Sequence, residues 1–391
     1  MGTTKFGIIG VGGRGGVFQD NNHIPEEGYE IVAGADVNSE VLDAFAKRFP
    51  EAKTFTDYKE LLAQPEIDAV FIITPDFLHE EMACAALEAG KHVYLEKPLA
   101  ITAEGCENIL RSAMQNNKKL YVGHNMRFMP VIRKMKEIID SGKIGEVQCA
   151  WCRHFINYGG DTYFRDWHSE RKYSNGLLLQ KGSHDIDVLH WLMGSYTVKT
   201  VGMGMLSVYD KCKRREDDGT PGKAVWDYDN YPPEKCEGFS PRIDVEDHNM
   251  ILMQLASGKQ CSYMQCHYTP DLDRNYTFIG TRGRIENHGV GLNAQILIWH
   301  TRAQETRMPD ESITLRGIPG THSGADPAIM KNFREFIRFN AKPETNPVEA
   351  MRAVLVGIMA HESMRGDISG RDVPQIAPDI VEYFDRICSG N

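Results

Sequence analysis

The feature that most constrains this chain is a glycine-rich turn directly after its first apolar run. Residues 6–9 are apolar or glycine, and residues 10–15 read G-V-G-G-R-G, which fits the spacing G-x-G-x-x-G. Glycine at these places removes Cβ atoms where a strand turns into a helix and where backbone approaches a pyrophosphate. The sequence therefore predicts a βαβ unit whose first turn binds a dinucleotide through Gly10, Gly12, Gly13, Arg14 and Gly15.

The first 124 residues support this interpretation because short β-rich runs alternate with amphipathic helical runs. The predicted strands lie at residues 6–9, 30–35, 69–74, 92–95 and 120–123. Alternation of this kind is typical of a parallel sheet with helical crossovers. We therefore predict an α/β chain with an N-terminal Rossmann dinucleotide-binding domain at residues 1–124.

Asp36 indicates which dinucleotide is bound. It follows Gly15 by 21 residues and stands at the end of the second predicted strand. A carboxylate there accepts hydrogen bonds from the ribose hydroxyls of adenosine and repels a 2′-phosphate. The next residues, Val37 and Asn38, supply no cation that would offset the repulsion. The sequence therefore favours NAD, with NADP as the weaker alternative.

Polar residues also follow three later strands of the predicted sheet. Ligands of parallel sheets collect beyond the carboxyl ends of the strands, so we expect these residues near the cofactor. The lysine of Glu96-Lys97-Pro98 would then lie beside the nicotinamide. For His79, an ordinary loop position explains the residue about as well. The expected cofactor-binding residues of these loops are Thr74, Pro75, His79, Glu96, Lys97 and Asn125.

The sequence pattern changes after about residue 125. Longer strand-like runs follow at residues 147–155, 197–206, 248–255, 260–267 and 276–280. Long strands joined by short turns indicate an antiparallel or mixed sheet. We predict a second α/β domain at residues 125–391 that binds substrate and forms oligomers. Residues 210–243 are polar and rich in Gly, Pro and Asp, and the sequence leaves the role of this excursion open.

Charge and composition exclude several classes of protein. The formal net charge of -10 argues against a nucleic-acid or anionic-membrane surface. No apolar run is long enough to span a bilayer, and no signal peptide fits before the first strand. The nine cysteines are dispersed, and neither cysteine nor histidine spacing indicates a metal site. We therefore expect a cytoplasmic enzyme with reduced thiols and no metal.

Five segments carry a resemblance to a known family. Beside the turn at 10–15 and the loop at 74–79, they read EKPLA at 96–100, GHNMRFMP at 123–130 and GSHDIDVLHWL at 182–192. The chain thereby resembles the glucose-fructose oxidoreductase / inositol dehydrogenase / MocA family. The resemblance implies a Rossmann domain followed by an α/β domain with a large open, mostly antiparallel sheet. It also implies NAD(P)-dependent oxidation of a secondary hydroxyl group on a sugar, cyclitol or glycoside.

The resemblance assigns catalytic residues and also shows one departure. Lys97 would contact substrate and nicotinamide, and His184 would serve as acid and base. Members of the family usually carry an aspartate four residues before that histidine, where this chain has Gln180 followed by Lys181. Glutamine cannot take up a proton, so three explanations stay open. Either Lys97 and His184 suffice, or Lys181 or Asp187 replaces the acid, or the reaction differs from simple dehydrogenation.

The residues themselves allow the same assignment for the histidine. A helix over residues 180–191 would place Gln180, His184 and Asp187 on one polar face. An imidazole with a pKa near neutrality suits removal of a proton from a hydroxyl group. The alternative is a capping histidine that is hydrogen-bonded to local carboxylates.

Residues 163–168 are dense in aromatic and polar groups and are candidates for binding substrate. Sugar sites use aromatic faces against C–H patches and charged groups for the hydroxyls. An ordinary packed loop explains this segment about equally well. With the residues named above, the expected substrate-binding set is Lys97, Arg127, Tyr163, Arg165, Trp167, His168, Asp187 and His267.

Three functions follow from these observations. The first is an NAD-dependent dehydrogenase whose partner is a small carbohydrate or polyol. The second, which Gln180 keeps open, is a redox-assisted glycosidase or epimerase that recycles a tightly bound NAD. The third is a non-catalytic NAD-binding regulator, which the intact Lys97 and His184 disfavour. We also expect a homodimer or homotetramer, because an open sheet face would be too apolar for a monomer.

Overall fold

A computed structural model describes residues 2–227, 229–305, 307–318 and 321–390 of the chain. These residues divide into two compact units. Unit 1 contains the described residues of 1–125, 326–351 and 376–391, and unit 2 contains those of 126–325 and 352–375. Two later segments of the chain thus belong to unit 1. The predicted division into residues 1–124 and 125–391 assigns both segments to the second domain.

The described residues of unit 1 form a six-stranded sheet with the strand order β3-β2-β1-β4-β5-β6, and every pairing in it is parallel. The strands are β1 (Thr4–Ile9), β2 (Tyr29–Ala35), β3 (Lys53–Phe55), β4 (Ala69–Ile72), β5 (His92–Leu95) and β6 (Leu120–Val122). The prediction is confirmed for five strands, whereas the short and largely exposed β3 carries no apolar run that would announce it. The strand order reverses between β1 and β4. At such a reversal the loops that follow the two strands diverge, and the crevice between them is where parallel sheets bind ligands.

Five helices connect these strands, as the alternating pattern predicts. They are α1 (Arg14–Asn22), α2 (Ser39–Arg48), α3 (Tyr58–Leu62), α4 (His79–Glu88) and α5 (Ala103–Gln115). Side-chain oxygens cap the N-termini of three of them. The Asn38 amide accepts from the N–H of Glu40, the Asp57 carboxylate from the N–H of Lys59 and the Thr102 hydroxyl from the N–H of Gly105.

The described residues of unit 2 contain a nine-stranded sheet with the order β14-β13-β12-β11-β7-β10-β9-β8-β15. The pair β7 and β10 is parallel and the other pairs are antiparallel, which confirms the predicted sheet type. The strands are β7 (Val147–Phe155), β8 (Thr197–Met205), β9 (His248–Leu255), β10 (Gln260–Cys266), β11 (Asp273–Gly280), β12 (Gly283–His288), β13 (Gln295–Trp299), β14 (Glu311–Thr314) and β15 (Arg371–Asp372).

The remaining helices complete both units. They are α6 (Pro130–Asp140), α7 (Arg171–Ser174), α8 (Leu177–Met193), α9 (Ala325–Phe339), α10 (Pro347–Arg365) and α11 (Pro378–Ile387). Short 3-10 turns lie at Pro25–Glu27, Asp76–Leu78, Asn125–Phe128, Gly159–Asp161, Trp167–Ser169, Pro233–Lys235 and Thr321–Gly324.

Helix α9 explains why the chain returns to unit 1. The Phe333 ring on α9 packs against Phe71, Tyr94 and Tyr121 of the parallel sheet, with ring centroids 5.3, 5.5 and 5.8 Å apart. Aromatic pairs at this spacing add to the free energy gained by burial. A segment more than two hundred residues beyond β6 therefore completes the core of the dinucleotide-binding fold, and short-range sequence patterns do not reveal such a pairing.

The sheet of unit 2 has one covered face and one open face. Helix α8 lies close against the covered face, where a Cβ at Gly182 would lie 2.9 Å from the Tyr263 ring. On the open face, large apolar side chains remain 58–63% exposed at Met203, Met205, Met250 and Leu252. These side chains border a groove of about 660 Å³.

The excursion at residues 210–243 folds onto the rest of unit 2, apart from Tyr228, which lies outside the described residues. Its Cys212, Cys236 and Phe239 side chains are buried in one apolar cluster with Tyr163 and Phe164. The N–H of Ser240 also donates to the Phe164 carbonyl at 2.8 Å. The excursion is therefore an integral part of unit 2.

All nine cysteines belong to the described residues and are free thiols. Cys149 and Cys152 both lie on β7, where Cys152 is buried and Cys149 is partly exposed. Within the described ranges, no helix is long and apolar enough to cross a membrane.

Candidate functional site

The glycine turn of unit 1 brings backbone segments into close contact. Gly10 has a φ of +88°, and a Cβ at this residue would lie 2.3 Å from the Ile73 carbonyl oxygen. A Cβ at Gly15 would lie 2.1 Å from the Gly10 carbonyl oxygen. Any other residue at these two positions would push the turn away from β4 and away from the start of α1. The turn therefore holds the close backbone geometry that a bound pyrophosphate needs.

Asp36 lies at the end of β2 and is hydrogen-bonded to the glycine turn. Its carboxylate accepts from the N–H of Val11 at 3.1 Å and from the N–H of Asn38 at 3.0 Å. The side chain remains partly exposed, and the neighbouring Val37 is 91% exposed. A partly exposed carboxylate beside the turn is placed to accept further hydrogen bonds from a ribose.

Arg14 is held by an ion-pair network within unit 1. Its guanidinium donates to Glu96 at 3.0 Å and makes two hydrogen bonds of 2.8 Å to Asp326, and Asn125 donates to Asp326 at 2.7 Å. Burial opposes the charge, but Glu96 and Asp326 outweigh it and raise the pKa of Arg14. Direct contact of Arg14 and Glu96 with the cofactor stays a prediction. Asp326 is a member of this network that the sequence analysis did not identify.

His79 connects two loops of the predicted cofactor site. Its ring is fully buried, with Nδ1 2.7 Å from the Pro98 carbonyl oxygen and Nε2 3.0 Å from that of Thr74. Burial lowers the pKa of this imidazole. The ring thus connects the loop after β4 to the Glu96-Lys97-Pro98 loop, and a direct contact of His79 with the cofactor stays a prediction. Lys97 is half-buried, and its N–H donates to Glu96 at 3.0 Å.

Unit 1 also carries buried polar atoms that a dinucleotide could satisfy. The Thr74 hydroxyl and the Asn125 amide oxygen are buried and have no hydrogen-bond partner among the described residues. A buried polar group without a partner costs free energy, so such atoms mark places where a ligand binds. Together with the glycine turn and Asp36, these atoms fit a nicotinamide dinucleotide.

Helix α8 of unit 2 carries the predicted catalytic histidine, but its environment differs from the prediction. The helix begins at Leu177, and all of its residues except Lys181 and Trp191 are buried. Gln180 and His184 are each 7% exposed. The sheet covers one side of α8 and α10 packs on another, where a Cβ at Gly357 would lie 3.2 Å from Leu179. The predicted polar face of Gln180, His184 and Asp187 therefore lies inside unit 2, and the catalytic role of His184 stays a prediction.

Arg127 and Asp187 form an ion pair inside unit 2. The guanidinium donates to the two carboxylate oxygens at 2.8 and 2.6 Å, and both side chains are at most 2% exposed. A bidentate pair of this kind is the strongest arrangement of these two groups. Each side chain thus neutralises the other, and their contact with substrate stays a prediction.

A second buried charge network lies beside α8 and was missed. Asp185 accepts a hydrogen bond from Tyr276, forms an ion pair with Arg274 at 3.2 Å and lies 3.3 Å from the His154 Nδ1. Burial would raise the pKa of Asp185, but Arg274 and His154 outweigh it and lower that pKa. Asp185 lies in the middle of α8.

Lys181 lies among aromatic rings that include several predicted substrate residues. Its Nζ is 5.1 Å from the Tyr163 ring and 5.6 Å from the Tyr158 ring. Tyr163 contacts His168 and His267 edge-on, and His168 stacks on Trp167. We call this group the Lys181 cluster, and its members are Tyr158, Tyr163, Trp167, His168, Lys181 and His267.

Tyr158 is a member of that cluster that the sequence interpretation missed. Burial would raise the pKa of its phenol, but the charges of Lys181 and Arg274 outweigh burial and lower it. His267 is fully buried, and neither of its ring nitrogens has a hydrogen-bond partner among the described residues. Its role in binding substrate stays a prediction.

Arg165 is buried and is not a member of the Lys181 cluster. Its guanidinium donates to the carbonyl oxygens of Gly160 at 2.6 Å and Glu237 at 2.8 Å, and the residue is 5% exposed. The side chain thus fastens the excursion to this segment, and its contact with substrate stays a prediction. In the described part of the chain, no group of three or more His, Cys, Asp or Glu side chains could hold a metal ion.

Two family descriptions match the chain. Residues 4–124 match the oxidoreductase family with an NAD-binding Rossmann fold, and residues 136–369 match its C-terminal alpha/beta domain. Among curated proteins, YteT of Bacillus subtilis is 24% identical over 350 residues, which is 78% of this chain and 82% of YteT.

Two further similar proteins have names that state their substrates. An inositol 2-dehydrogenase/D-chiro-inositol 3-dehydrogenase of Halalkalibacterium halodurans is 35% identical over 193 residues, 49% of this chain and 53% of that protein. The match therefore spans about half of each of these two proteins. The solved structure of a levoglucosan dehydrogenase, in complex with NADH and L-sorbose, aligns with a TM-score of 0.78 at 20% identity. That alignment covers 96% of this chain and 100% of the other, and it shows the shared fold.

Proposed function

This chain belongs to the glucose-fructose oxidoreductase / inositol dehydrogenase / MocA family, and on that premise we propose that it is an NAD-dependent oxidoreductase acting on CH–OH groups. The substrate would be a sugar, cyclitol or glycoside that is oxidised at a secondary hydroxyl. One observation carries the proposal. The glycine turn follows β1, next to the place where the strand order reverses, and two of its positions leave no room for a Cβ. The same turn is hydrogen-bonded to Asp36 at the end of β2.

The choice of NAD over NADP rests on charge at the end of β2. The Asp36 carboxylate would bind the ribose hydroxyls and repel a 2′-phosphate. Val37 and Asn38 follow it and are both exposed, and neither carries a positive charge. An NADP-binding site would need a cation to neutralise the phosphate.

The chemistry requires a proton to leave the substrate oxygen as a hydride leaves carbon. Bound nicotinamide would supply the hydride acceptor. We assign removal of the proton to His184 and stabilisation of the charge on the substrate oxygen to Lys97, as the family resemblance implies. Gln180 can only donate or accept a hydrogen bond. Lys181, beside the Tyr158 phenol with its lowered pKa, is the group that could replace the missing acid.

Gln180 and the Lys181 cluster also support a second candidate function. A redox-assisted glycosidase or epimerase would oxidise a ring carbon transiently and later return the hydride to the same substrate. It would then keep its NAD bound and release no NADH. A non-catalytic NAD-binding regulator is disfavoured because Lys97 and His184 are both present.

We propose that unit 2 forms a homodimer or homotetramer through its open sheet face. Met203, Met205, Met250 and Leu252 are 58–63% exposed on neighbouring strands of that face. A contiguous apolar surface of this kind is typical of subunit interfaces. A monomeric sedimentation profile would contradict this proposal. The nine free thiols fit a reducing compartment, and we propose a cytoplasmic location.

The proposed function is tested by two assays on the purified protein. The first denatures the protein and identifies the released nucleotide. The second adds NAD with a panel of sugars, inositols and glycosides and follows NADH absorbance. NADH formed in proportion to product supports the dehydrogenase, whereas bound NAD with product and no NADH supports the redox-assisted reaction. No product from any probe at saturating NAD contradicts both.

A further inference from the structure

An exposed tryptophan stands on the excursion at a position that the fold holds firmly. Trp226 is 69% exposed, yet both of its flanks are fastened to Asp161. The N–H of Val225 donates to the Asp161 carbonyl at 2.8 Å, and the Asn230 amide donates to the Asp161 carboxylate at 3.0 Å. The large apolar ring thus faces solvent at a place where hydrogen bonds hold the backbone.

A close backbone contact fastens the same segment at a third point. A Cβ at Gly222 would lie 1.6 Å from the Arg165 carbonyl oxygen, so this position accepts no side chain. The Arg165 guanidinium in turn reaches the Glu237 carbonyl at the far end of the excursion. The segment that carries Trp226 is therefore held against residues 158–165 from both sides.

The Trp226 ring extends the Lys181 cluster outward. Its centroid is 5.7 Å from that of Tyr158, and Tyr158 is 5.9 Å from Tyr163. Lys181 lies over the rings of Tyr158 and Tyr163. Three aromatic rings thus form a row that begins at the ammonium group and ends in solvent. Each step along the row is about as long as a pyranose ring is wide.

The charges around Trp226 restrict what such a row can bind. Asp227 and Asp229 are exposed on the same segment as Trp226. Carboxylates accept hydrogen bonds from sugar hydroxyls and repel anionic groups such as phosphates or uronates. Aromatic faces bind the C–H side of sugar rings. The surroundings of Trp226 therefore suit a neutral carbohydrate ring.

We propose that Trp226 and Tyr158 form a subsite for the second ring of a neutral glycoside, so that the substrate is larger than a monocyclic polyol. This inference rests on the proposed function, because it names the substrate class of that oxidoreductase. The first ring would lie at the Lys181 cluster, and the second ring would stack on Trp226.

The test compares cellobiose and maltose with glucose in NAD-dependent turnover. We expect Trp226→Ala to lower the disaccharide-to-glucose ratio of kcat/KM about fivefold to tenfold, mainly through KM for the disaccharide. Trp226→Phe keeps an aromatic face and should restore most of that ratio. Val225→Ala, a change at the exposed neighbouring side chain, is the matched control and should leave the ratio unchanged. An unchanged ratio in Trp226→Ala overturns the subsite.

A binding assay separates this inference from the proposed function. The NAD-loaded protein is titrated with cellobiose and its tryptophan fluorescence is recorded, with no turnover required. Saturable quenching that is lost in Trp226→Ala supports the subsite even where no probe is oxidised, and in that case only the proposed activity fails. Quenching that is the same in Trp226→Ala, or absent from the wild-type chain, overturns the subsite whether or not glucose is oxidised.

Discussion

In unit 1, Asp36 and Lys97 lie partly exposed at strand ends, whereas in unit 2 Asp185 and Asp187 lie fully inside, each against a buried arginine. Both pairs of residues look like functional groups in the sequence. The difference is that parallel strands present their carboxyl ends at one edge, so sequence position predicts exposure there. A polar residue on a helix can instead meet a partner from a distant segment. The partly exposed Asp36 and Lys97 thus suggest ligand binding, whereas the buried Asp185 and Asp187 first suggest internal neutralisation.

The largest expected effect is acid destabilisation of unit 2. Burial lowers the pKa of His154 to about 3, of His190 to about 4 and of His361 to about 3. Below the unfolded pKa of about 6.5 the unfolded chain binds protons that the folded chain does not, so stability falls as the pH drops toward 4. Each histidine contributes about 1.4 kcal/mol per pH unit in that window.

Urea unfolding between pH 7 and 4.5 measures this effect. His190→Gln should reduce the pH slope by about one proton, because its imidazole no longer titrates in the unfolded state. Hydrogen exchange should show loss of protection in unit 2 before unit 1. A stability that is flat across this window would show that these imidazoles are not buried and neutral.

Breaking one member of the buried ion pair comes next in size. Asp187→Asn removes the carboxylate charge that pairs with the buried Arg127 guanidinium and should cost about 3–5 kcal/mol of unfolding free energy. The matched control is Asp140→Asn, which removes an exposed carboxylate from Lys136 and should cost less than about 1 kcal/mol. If Asp187→Asn were as mild as the control, Asp187 would be free to bind substrate as the sequence suggests.

The apolar replacement of the same pair sharpens the comparison. The double variant Arg127→Met with Asp187→Leu removes both charges and should regain most of the stability lost in Asp187→Asn. Chemical denaturation of the three variants measures it. Loss of NAD-dependent turnover in a stable double variant would show that Arg127 or Asp187 also takes part in binding or turnover of the substrate.

The smallest expected effect on stability lies in unit 1. Asp36→Ala removes the acceptor for the N–H of Val11 and should lower the free energy of unfolding by no more than about 1 kcal/mol. The same change should raise KM for NAD about tenfold and weaken the preference for NAD over NADP. Asp43→Ala removes an exposed carboxylate on α2 and is the control. Equal KM values for NAD in both variants would remove Asp36 from the cofactor site.

Much of this fold follows from local sequence patterns. The strands predicted at residues 92–95, 147–155 and 248–255 have the predicted ends, because their apolar runs are bounded by turn residues. Strands β12 to β15 were not predicted. They are short, and β14 alternates partly buried with exposed polar residues rather than carrying an apolar run. Edge strands of this kind form because neighbouring strands offer hydrogen bonds, which the sequence does not display.

The candidate site was predictable in part for the same reason. The glycine turn, Asp36 and Lys97 are defined within one βαβ pattern or at one strand end. The partners of Arg14 and Arg127 lie 312 and 60 residues away in the chain. Tyr158 gave no signal in the sequence, since only the fold places it beside Lys181. Long-range pairing therefore decides which charged side chains remain available to a ligand.

The central claim is that Lys97 acts in NAD-dependent oxidation, and one measurement tests it most directly. Single-turnover NADH formation is followed at saturating NAD for the wild-type chain, for Lys97→Met and for Lys134→Met. Lys134 is a partly exposed lysine on α6 that pairs with Glu137. We predict a loss of about 10²–10⁴ in rate for Lys97→Met and none for Lys134→Met. Full turnover in a folded Lys97→Met variant on an identified substrate would contradict the account.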